Sequence, residues 1–362
     1  MRLPTRFALS LLLAVRAPQF AGAQEPATAK LLIGVVVARE SGTPLEHAMV
    51  TVQPGLRQTF TSGAGTFAFS AMLPGTYRIR VAHLGFVPLE IAVTVPSNGV
   101  PDRLRVELAL ITVHLPTMKV LANWSCTNPG PPDPAYDPDF AAVIGQLRLN
   151  AEQYRLLADS FPFAYRIRRE NSATDGAKVR KMRQIDTVMY VSNAMGWRYR
   201  VGNVVGEDSQ HQLEMRLPIL SDFASDAFLN SHCFRYAGRD STQDGAVLRI
   251  EFRATDTIKE PDVNGTILLD AVSYQIRSTT LDLSRIPREI RGVKSVSART
   301  TFTEVAPNIV VFSEVIGTNL LTPSKDWRAN VSTTEEQHLM QFEWLHGAPG
   351  KSVPPPPELL HG

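Results

Sequence analysis

Ile33-Gly34-Val35-Val36-Val37, Thr43-Pro44-Leu45, the trio Ala48, Val50 and Val52, then Thr61, Gly65-Thr66-Phe67-Ala68-Phe69, Leu73-Pro74-Gly75-Thr76-Tyr77, Val81 and Leu84-Gly85-Phe86 let one fold be read across residues 33–110. Leu31–Arg39 is rich in Val and Ile with weak alternation, as in a strand buried on both faces. Ala48–Gln53 alternates, which sets Ala48, Val50 and Val52 on one side, and Pro54-Gly55 ends it. Thr59–Ser62 and Thr66–Ser70 predict a hairpin about Gly63-Ala64-Gly65, with glycine supplying the positive φ of a tight turn. Pro74-Gly75 is the next turn. In Tyr77–His83, Tyr77, Ile79 and Val81 point inward while Arg78 and Arg80 point out. Leu89–Val95 and Leu104–Leu110 bring the total to about seven short, evenly spaced strands, the pattern of a small sandwich.

Taken together, these residues resemble the carboxypeptidase regulatory-like domain, a transthyretin-like (prealbumin) β-sandwich found after metallocarboxypeptidase catalytic domains and ahead of many bacterial outer-membrane proteins. The resemblance implies a rigid, non-catalytic module, sometimes grouped with carbohydrate-binding folds. It brings no metal and no nucleophile.

On the N-terminal side, Arg2 and Arg6 precede the apolar run Phe7–Val15, and Ala21-Gly22-Ala23 supplies small residues at a cleavage site. The run is too short to span a bilayer, so residues 1–23 are expected to be a secretory signal removed after Ala23. No Cys follows that site, which argues against a lipid anchor. Three of the 37 basic residues fall in this segment, leaving 34 basic against 35 acidic. A chain so balanced gives no reason to expect nucleic acid as partner. The basic runs Arg166-Ile167-Arg168-Arg169 and Lys178–Arg183 read as solvated strand faces. Cys126 and Cys233 are the two cysteines, and in an oxidising compartment such a pair predicts a disulfide. It would tie the region between the domains to the second domain and stabilise by about 2–5 kcal/mol. His232 beside Cys233 has no partner pair at zinc-finger spacing.

On the C-terminal side, Thr112–Leu121 reads as a last strand or exit segment, which closes a sandwich domain of residues 31–121. A Pro-rich linker, 122–138, follows, with five prolines in Asn128–Pro138. An antiparallel β domain is expected over 139–343 and a flexible tail over 344–362. Asp139 can cap a helix running to about Ser160, with Phe140, Val143, Ile144 and Leu147 on one face. Strands are predicted at Phe163–Glu170, Val179–Tyr190, Trp197–Val201, His232–Tyr236, Val247–Ala254, Gly265–Leu269, Tyr274–Leu283, Ser295–Glu304 and Ile309–Thr318, with a short helix at Asp222–Leu229. Gly265-Thr266-Ile267-Leu268-Leu269-Asp270, then Tyr274 and Ile276, resembles bacterial envelope proteins related to outer-membrane lipoprotein carriers. The arrangement Phe228, His232-Cys233-Phe234, Ile250-Glu251-Phe252-Arg253, Asp262 and Gly265 resembles uncharacterised secreted bacterial proteins carrying the same N-terminal module. These likenesses imply a curved antiparallel sheet with a helix against it, and no known activity. The fold class is therefore mainly β: a seven-stranded prealbumin-like sandwich plus a curved antiparallel sheet domain with one or two helices.

Chemistry is sparsely signalled. His211-Gln212-Leu213-Glu214 has H-x-x-E spacing and His338 could be a third zinc ligand. Zinc hydrolysis also needs an open position and a base in reach, yet the region reads as β and only 24 residues follow His338. H-E-x-x-H, the G-x-S-x-G elbow, a P-loop and a dinucleotide fingerprint are absent from the sequence. Glu335-Glu336 and Asp137/Asp139 are paired carboxylates in solvent-facing or linker positions. Sugar stacking would use Phe86, Trp124, Trp197, Trp327 or Trp344, of which Phe86 is expected to plug the sandwich and Trp124 to pack on the disulfide. A lipid-carrier hollow would be lined by Leu268, Ile276, Leu281, Val310, Phe312 and Val315, residues that serve equally as an ordinary core. A membrane barrel would call for longer amphipathic strands, aromatic girdles and a higher strand count, and is not expected.

The expectation is a non-enzymatic binding or interaction protein of the bacterial cell envelope, periplasmic or secreted, with the sandwich as spacer or docking module. Its partner would be an envelope protein or a glycan; no cofactor, metal, nucleic acid or transmembrane segment after signal removal is expected. The alternatives are a carbohydrate-binding protein, a lipid-carrier-like envelope protein and a zinc carboxypeptidase. Export followed by N-terminal sequencing checks the leader: the mature chain should begin at Gln24.

Overall fold

In a computed structural model of the chain, the described residues are 29–115, 124–175, 178–192, 198–207, 213–242, 245–287, 290–323 and 331–349. The expected leader therefore lies outside them, as does most of the exit segment Thr112–Leu121; residues 112–115 carry no strand.

The sandwich is built from seven strands, β1 (Lys30–Ala38), β2 (Met49–Gln53), β3 (Arg57–Phe60), β4 (Thr66–Met72), β5 (Gly75–Ala82), β6 (Leu89–Val95) and β7 (Leu104–Leu108). One sheet has the order β4-β1-β7, with β7 parallel to β1; the other has the order β3-β2-β5-β6. Side chains from both inner faces, among them Val36, Val50, Phe67, Ile79, Val81, Val106 and Leu108, are buried between the sheets. Along β5 the alternation holds, since Ile79 and Val81 are buried and Arg78 is exposed. The expected hairpin at Gly63–Gly65 is corrected. β3 pairs with β2, β4 pairs with β1, and the turn carries the chain from one sheet to the other. Alternation alone places a strand's faces but does not name its neighbour. Gly65 holds φ +70°, and a Cβ there would stand 2.5 Å from the Val36 carbonyl oxygen.

Helix α1 (Pro138–Ser160) starts the second domain. Its cap is Asp137, not Asp139: Asp137 Oδ1 accepts from the Phe140 amide at 3.0 Å, and Pro138 occupies the first turn, where its missing N–H costs nothing. Strands β8 (Phe163–Asp175) and β9 (Lys178–Val191) follow, then a small ribbon of β10 (Val205–Glu207) and β11 (Leu213–Met215). A 3₁₀ turn at Leu220–Ala224 leads into α2 (Asp226–Ser231). Next come β12 (His232–Thr242), β13 (Gly245–Ala254), β14 (Val263–Asp270), β15 (Ile276–Leu283), β16 (Val293–Ala306), β17 (Ile309–Leu321) and β18 (Val331–Trp344). β12 to β18 form an antiparallel meander, and β8-β9 extends it past β18 to make nine strands. The strand expected at Trp197–Val201 is not formed: residues 198–201 are irregular and Trp197 lies outside the described residues. Tyr274 sits at φ +58° in the turn before β15, which begins two residues later than expected.

The region expected as a free linker is packed down. Cys126 and Cys233 form the predicted disulfide, Gly130 bridges Cys233 in parallel, and the Cys126 carbonyl accepts from the Asp256 amide at 3.0 Å. This segment covers the start of β12, an edge strand whose backbone would otherwise be unpaired. The expected tail, residues 344–362, is described only as far as Pro349. Trp344 closes β18, and the Pro349 carbonyl reaches the His47 ring of the sandwich at 3.2 Å.

The two domains share one apolar core. Met49, Phe60, Ala82 and Leu84 of the sandwich join the second domain's cluster, and the Phe60 and Phe161 rings are 5.7 Å apart. Polar side chains of α1 fix it on both sides, Gln146 and Glu152 to the sandwich and Asn150 to the large sheet. Gln146 accepts from the Gly85 amide at 2.9 Å and donates to the Phe86 carbonyl at 3.1 Å. Asn150 donates to the Tyr274 carbonyl and accepts from the Ile276 amide, both at 2.9 Å. Glu152 meets Arg80 at 3.2 Å. Gln146→Ala leaves two buried backbone groups unpaired. Calorimetry should show a loss of about 2–4 kcal/mol and a broadened or split transition where the wild type melts as one unit.

Candidate functional site

The densest polar constellation among the described residues lies where α2 runs into β12. Ser231, His232, Asp262 and Tyr199 are all buried. Tyr199 OH donates to both Asp262 oxygens, at 3.0 and 2.9 Å, while the amides of Gly202 and Val263 donate to the same carboxylate at 2.7 Å. His232 Nε2 stands 3.6 Å from Asp262 Oδ1 and 3.0 Å from the Val263 carbonyl; Nδ1 faces the Phe228 carbonyl at 2.8 Å. Ser231 Oγ lies 3.1 Å from that same Nδ1 and donates to the Ala227 carbonyl at 2.7 Å.

The residue types are those of a hydrolase triad, but the proton traffic is not. Nucleophilic catalysis needs a base free to take the serine proton and a substrate beside both groups. Here the nitrogen nearest the serine faces a carbonyl oxygen, and the serine's proton is held by another. Burial works against charge on Asp262, but the nearby His232 ring and the amides of Gly202 and Val263 outweigh it and hold the carboxyl below its ordinary value. Burial, with Asp262 adding to it, raises Tyr199 and keeps it a donor. Sequence spacing could not have found this set, because 63 residues separate Tyr199 from Asp262. Next to it, a polar cavity of about 40 Å³ among Tyr154, Arg155, Asp159, Arg198 and Ser221 has room for a few waters and for no organic ligand.

The expected zinc set is not assembled. His211 lies outside the described residues, Glu214 is engaged by Arg216 at 2.9 Å, and His338 lies on β18 between Glu314 and Glu336, at 3.2 and 3.4 Å. Among the described residues no group of three or more His, Cys, Asp or Glu could hold a metal ion. The sugar candidates are also taken up. Phe86 is buried in the sandwich core, edge-on to His83 at 5.2 Å. Trp124 stacks under Arg235 and Arg253, at 5.1 and 5.5 Å. Trp344 packs edge-on to Phe163 and Phe342. Trp197 and Trp327 lie outside the described residues.

The lipid candidates divide between two environments. Ile276, Leu281 and Val310 are buried in the core. Leu268 pairs with Arg249 and Ser278 on the opposite face. Phe312 sits at the core's rim against Tyr165, 5.2 Å away. Val315 lies beyond it. The helix meets the sheet at Ile276, at Phe163 and on β17. The register sets Thr300, Val315, Gln337, Arg169 and Asp186 in one row across five strands. Arg169 follows the buried Tyr165 and Ile167 at two-residue steps, so this row is on the helix-bearing face. Thr300, Val315, Gln337 and Arg169 are all half-buried. Arg169 donates to Tyr190 OH at 3.1 Å and lies 3.5 Å from Glu335.

Residues 32–109 match the family model of the carboxypeptidase regulatory-like domain, so the sandwich is a domain of that kind. No curated protein matches the sequence. Among solved structures the chain is similar to a DUF1329 family protein from Desulfovibrio piger (9% identity, TM-score 0.30), over 57% of this chain and 94% of that one. It is also similar to a LolA superfamily protein from Nitrosomonas europaea (10% identity, TM-score 0.28), over 57% of this chain and 96% of that one. At these scores neither likeness bears on function. No described helix is long and apolar enough to cross a membrane.

A pH-resolved stability measurement tests the buried cluster. Unfolding returns Asp262 to an ordinary carboxyl value of about 3.9. Its stabilisation is thus complete above about pH 4 and is lost as the pH falls through the depressed folded value. Urea titrations should place Asp262→Asn about 2–4 kcal/mol below wild type at pH 7, with the gap narrowing in acid. A gap independent of pH would remove the ionised carboxylate from the account.

Proposed function

We propose that this chain is an exported, non-enzymatic binding protein of the bacterial envelope, in which the sandwich is the spacer or docking module and the second domain does the recognising. The observation that carries this reading is the half-buried sheet face. α1 packs on one end of the face, and the row Thr300, Val315, Gln337, Arg169 and Asp186 continues along it, half-buried from Thr300 to Arg169 and exposed at Asp186. A half-buried sheet face of mixed polarity, built from long neighbouring strands, suits a partner laid across the strands. The disulfide fits an oxidising compartment, and the enclosure of Ser231, His232 and Asp262 argues against hydrolysis.

A lipid-carrier reading has its own support. Phe302, Phe312, Leu339, Val188 and Tyr190 are partly buried at the core's rim, so an apolar floor adjoins the polar row, as an amphiphile would require.

Thermal melting with separated lipid, glycan and protein fractions of an envelope extract tests both. One fraction is expected to raise Tm by roughly 2–5 °C, and Val315→Arg to abolish that rise while leaving the unliganded Tm nearly unchanged. A response to the lipid fraction selects the carrier reading. No response to any fraction, or an equal one in the variant, counts against the site.

A further inference from the structure

The end of the sandwich farthest from the second domain carries side chains that its fold does not use. Gln53 pairs with Arg78, Gly75 with Val95, and Lys30 with Met72. The β2-β3 turn, the β4-β5 turn and the β6-β7 loop therefore meet at one end, opposite the joint at Gly85. Lys30 Nζ donates to the Gly99 carbonyl at 2.5 Å, and Arg57 donates to the Ser70 carbonyl at 2.7 Å, which ties these loops together. At their tips stand Leu56, 72% exposed, Leu73, 54% exposed, and Val100, 83% exposed.

A single exposed leucine is ordinary, but three on adjacent turn tips form a pattern. Leu56 is the telling one. It holds φ +46°, a left-handed conformation that glycine or asparagine adopts more readily, and it packs against no core in return. Around the tips stand Lys30, Arg57, Arg78 and Arg103, against Asp102 on these turns and Glu90, which meets Arg78 at 3.4 Å; cations still outnumber acids four to two. Apolar tips in a ring of cations match an interface where acyl chains lie beneath phosphate headgroups.

We infer that this end of the sandwich is a peripheral docking surface for a lipid bilayer bearing anionic headgroups. Leu56, Leu73 and Val100 enter the acyl boundary, and Lys30, Arg57, Arg78 and Arg103 sit at headgroup level. The inference rests on the docking role proposed for the sandwich. It is tested at the opposite end from the sheet face, so either can fail alone.

Co-sedimentation with vesicles of phosphatidylcholine and phosphatidylglycerol in about a 3:1 ratio is the experiment, using the exported full chain and variants prepared alike. Wild type should pellet with these vesicles, pellet less with pure phosphatidylcholine, and lose binding in high salt. Leu56→Ser/Leu73→Ser/Val100→Ser should lower the partition coefficient by at least about ten-fold. Leu56→Gly removes that side chain while relieving its backbone, so its weaker binding cannot come from misfolding. Wild type remaining in the supernatant, or the triple variant pelleting equally, overturns the inference. So does concentration-dependent self-association without lipid that the triple variant abolishes, since the tips would then meet a second copy.

Discussion

The structure turns on a carboxamide. Gln146 reaches from the second domain's first helix to the amide of Gly85 and the carbonyl of Phe86, one donor and one acceptor met by one side chain. Buried backbone groups left unpaired are costly, so the joint tolerates little displacement. Gly85 has φ +81° there, which turns the chain at the foot of the sandwich and presents its amide to the helix. Asn150, one turn on, does the same for the turn that opens β15. One helix is thereby fixed to the sandwich on one side and to the large sheet on the other.

That placement determines what the sheet can do. The helix meets the nine-stranded sheet at Ile276, at Phe163 and on β17, and β16, β17, β18 and β8 are long strands of that sheet. Near the helix the face is filled by Phe163, Tyr165, Ile167 and Ile276. Farther along, the same face carries Val315, Gln337 and Arg169, all half-buried. The half that meets the helix carries the buried core, and the half-buried row beyond it is the face on which the proposed recognition rests.

Much of the sandwich was legible because its strands alternate, and alternation reports directly which side chains meet a core. Ile79 and Val81 inward, Phe86 as a plug and the Cys126–Cys233 pair all follow from local pattern or compartment. Pairing across Gly63–Gly65 did not, because a turn between two alternating strands looks the same whether it closes a hairpin or crosses between sheets. The cap of α1 was misplaced by two residues for a comparable reason: Asp137 and Asp139 both flank Pro138, and only the helix axis shows which carboxylate faces the Phe140 amide. His232 and Asp262 appeared in a family likeness, but their meeting with Tyr199 and Ser231 was not legible, since the members come from three separate segments.

Sequence by itself determined the fold of the first domain, the β character of the second and the disulfide, each through short-range periodicity or residue chemistry. Tertiary structure alone decided that the linker covers an edge strand, that a serine, a histidine and an aspartate lie together with their polar groups engaged, and that one helix joins the sandwich to the large sheet. Those outcomes depend on contacts between residues far apart in the chain, which local pattern does not encode.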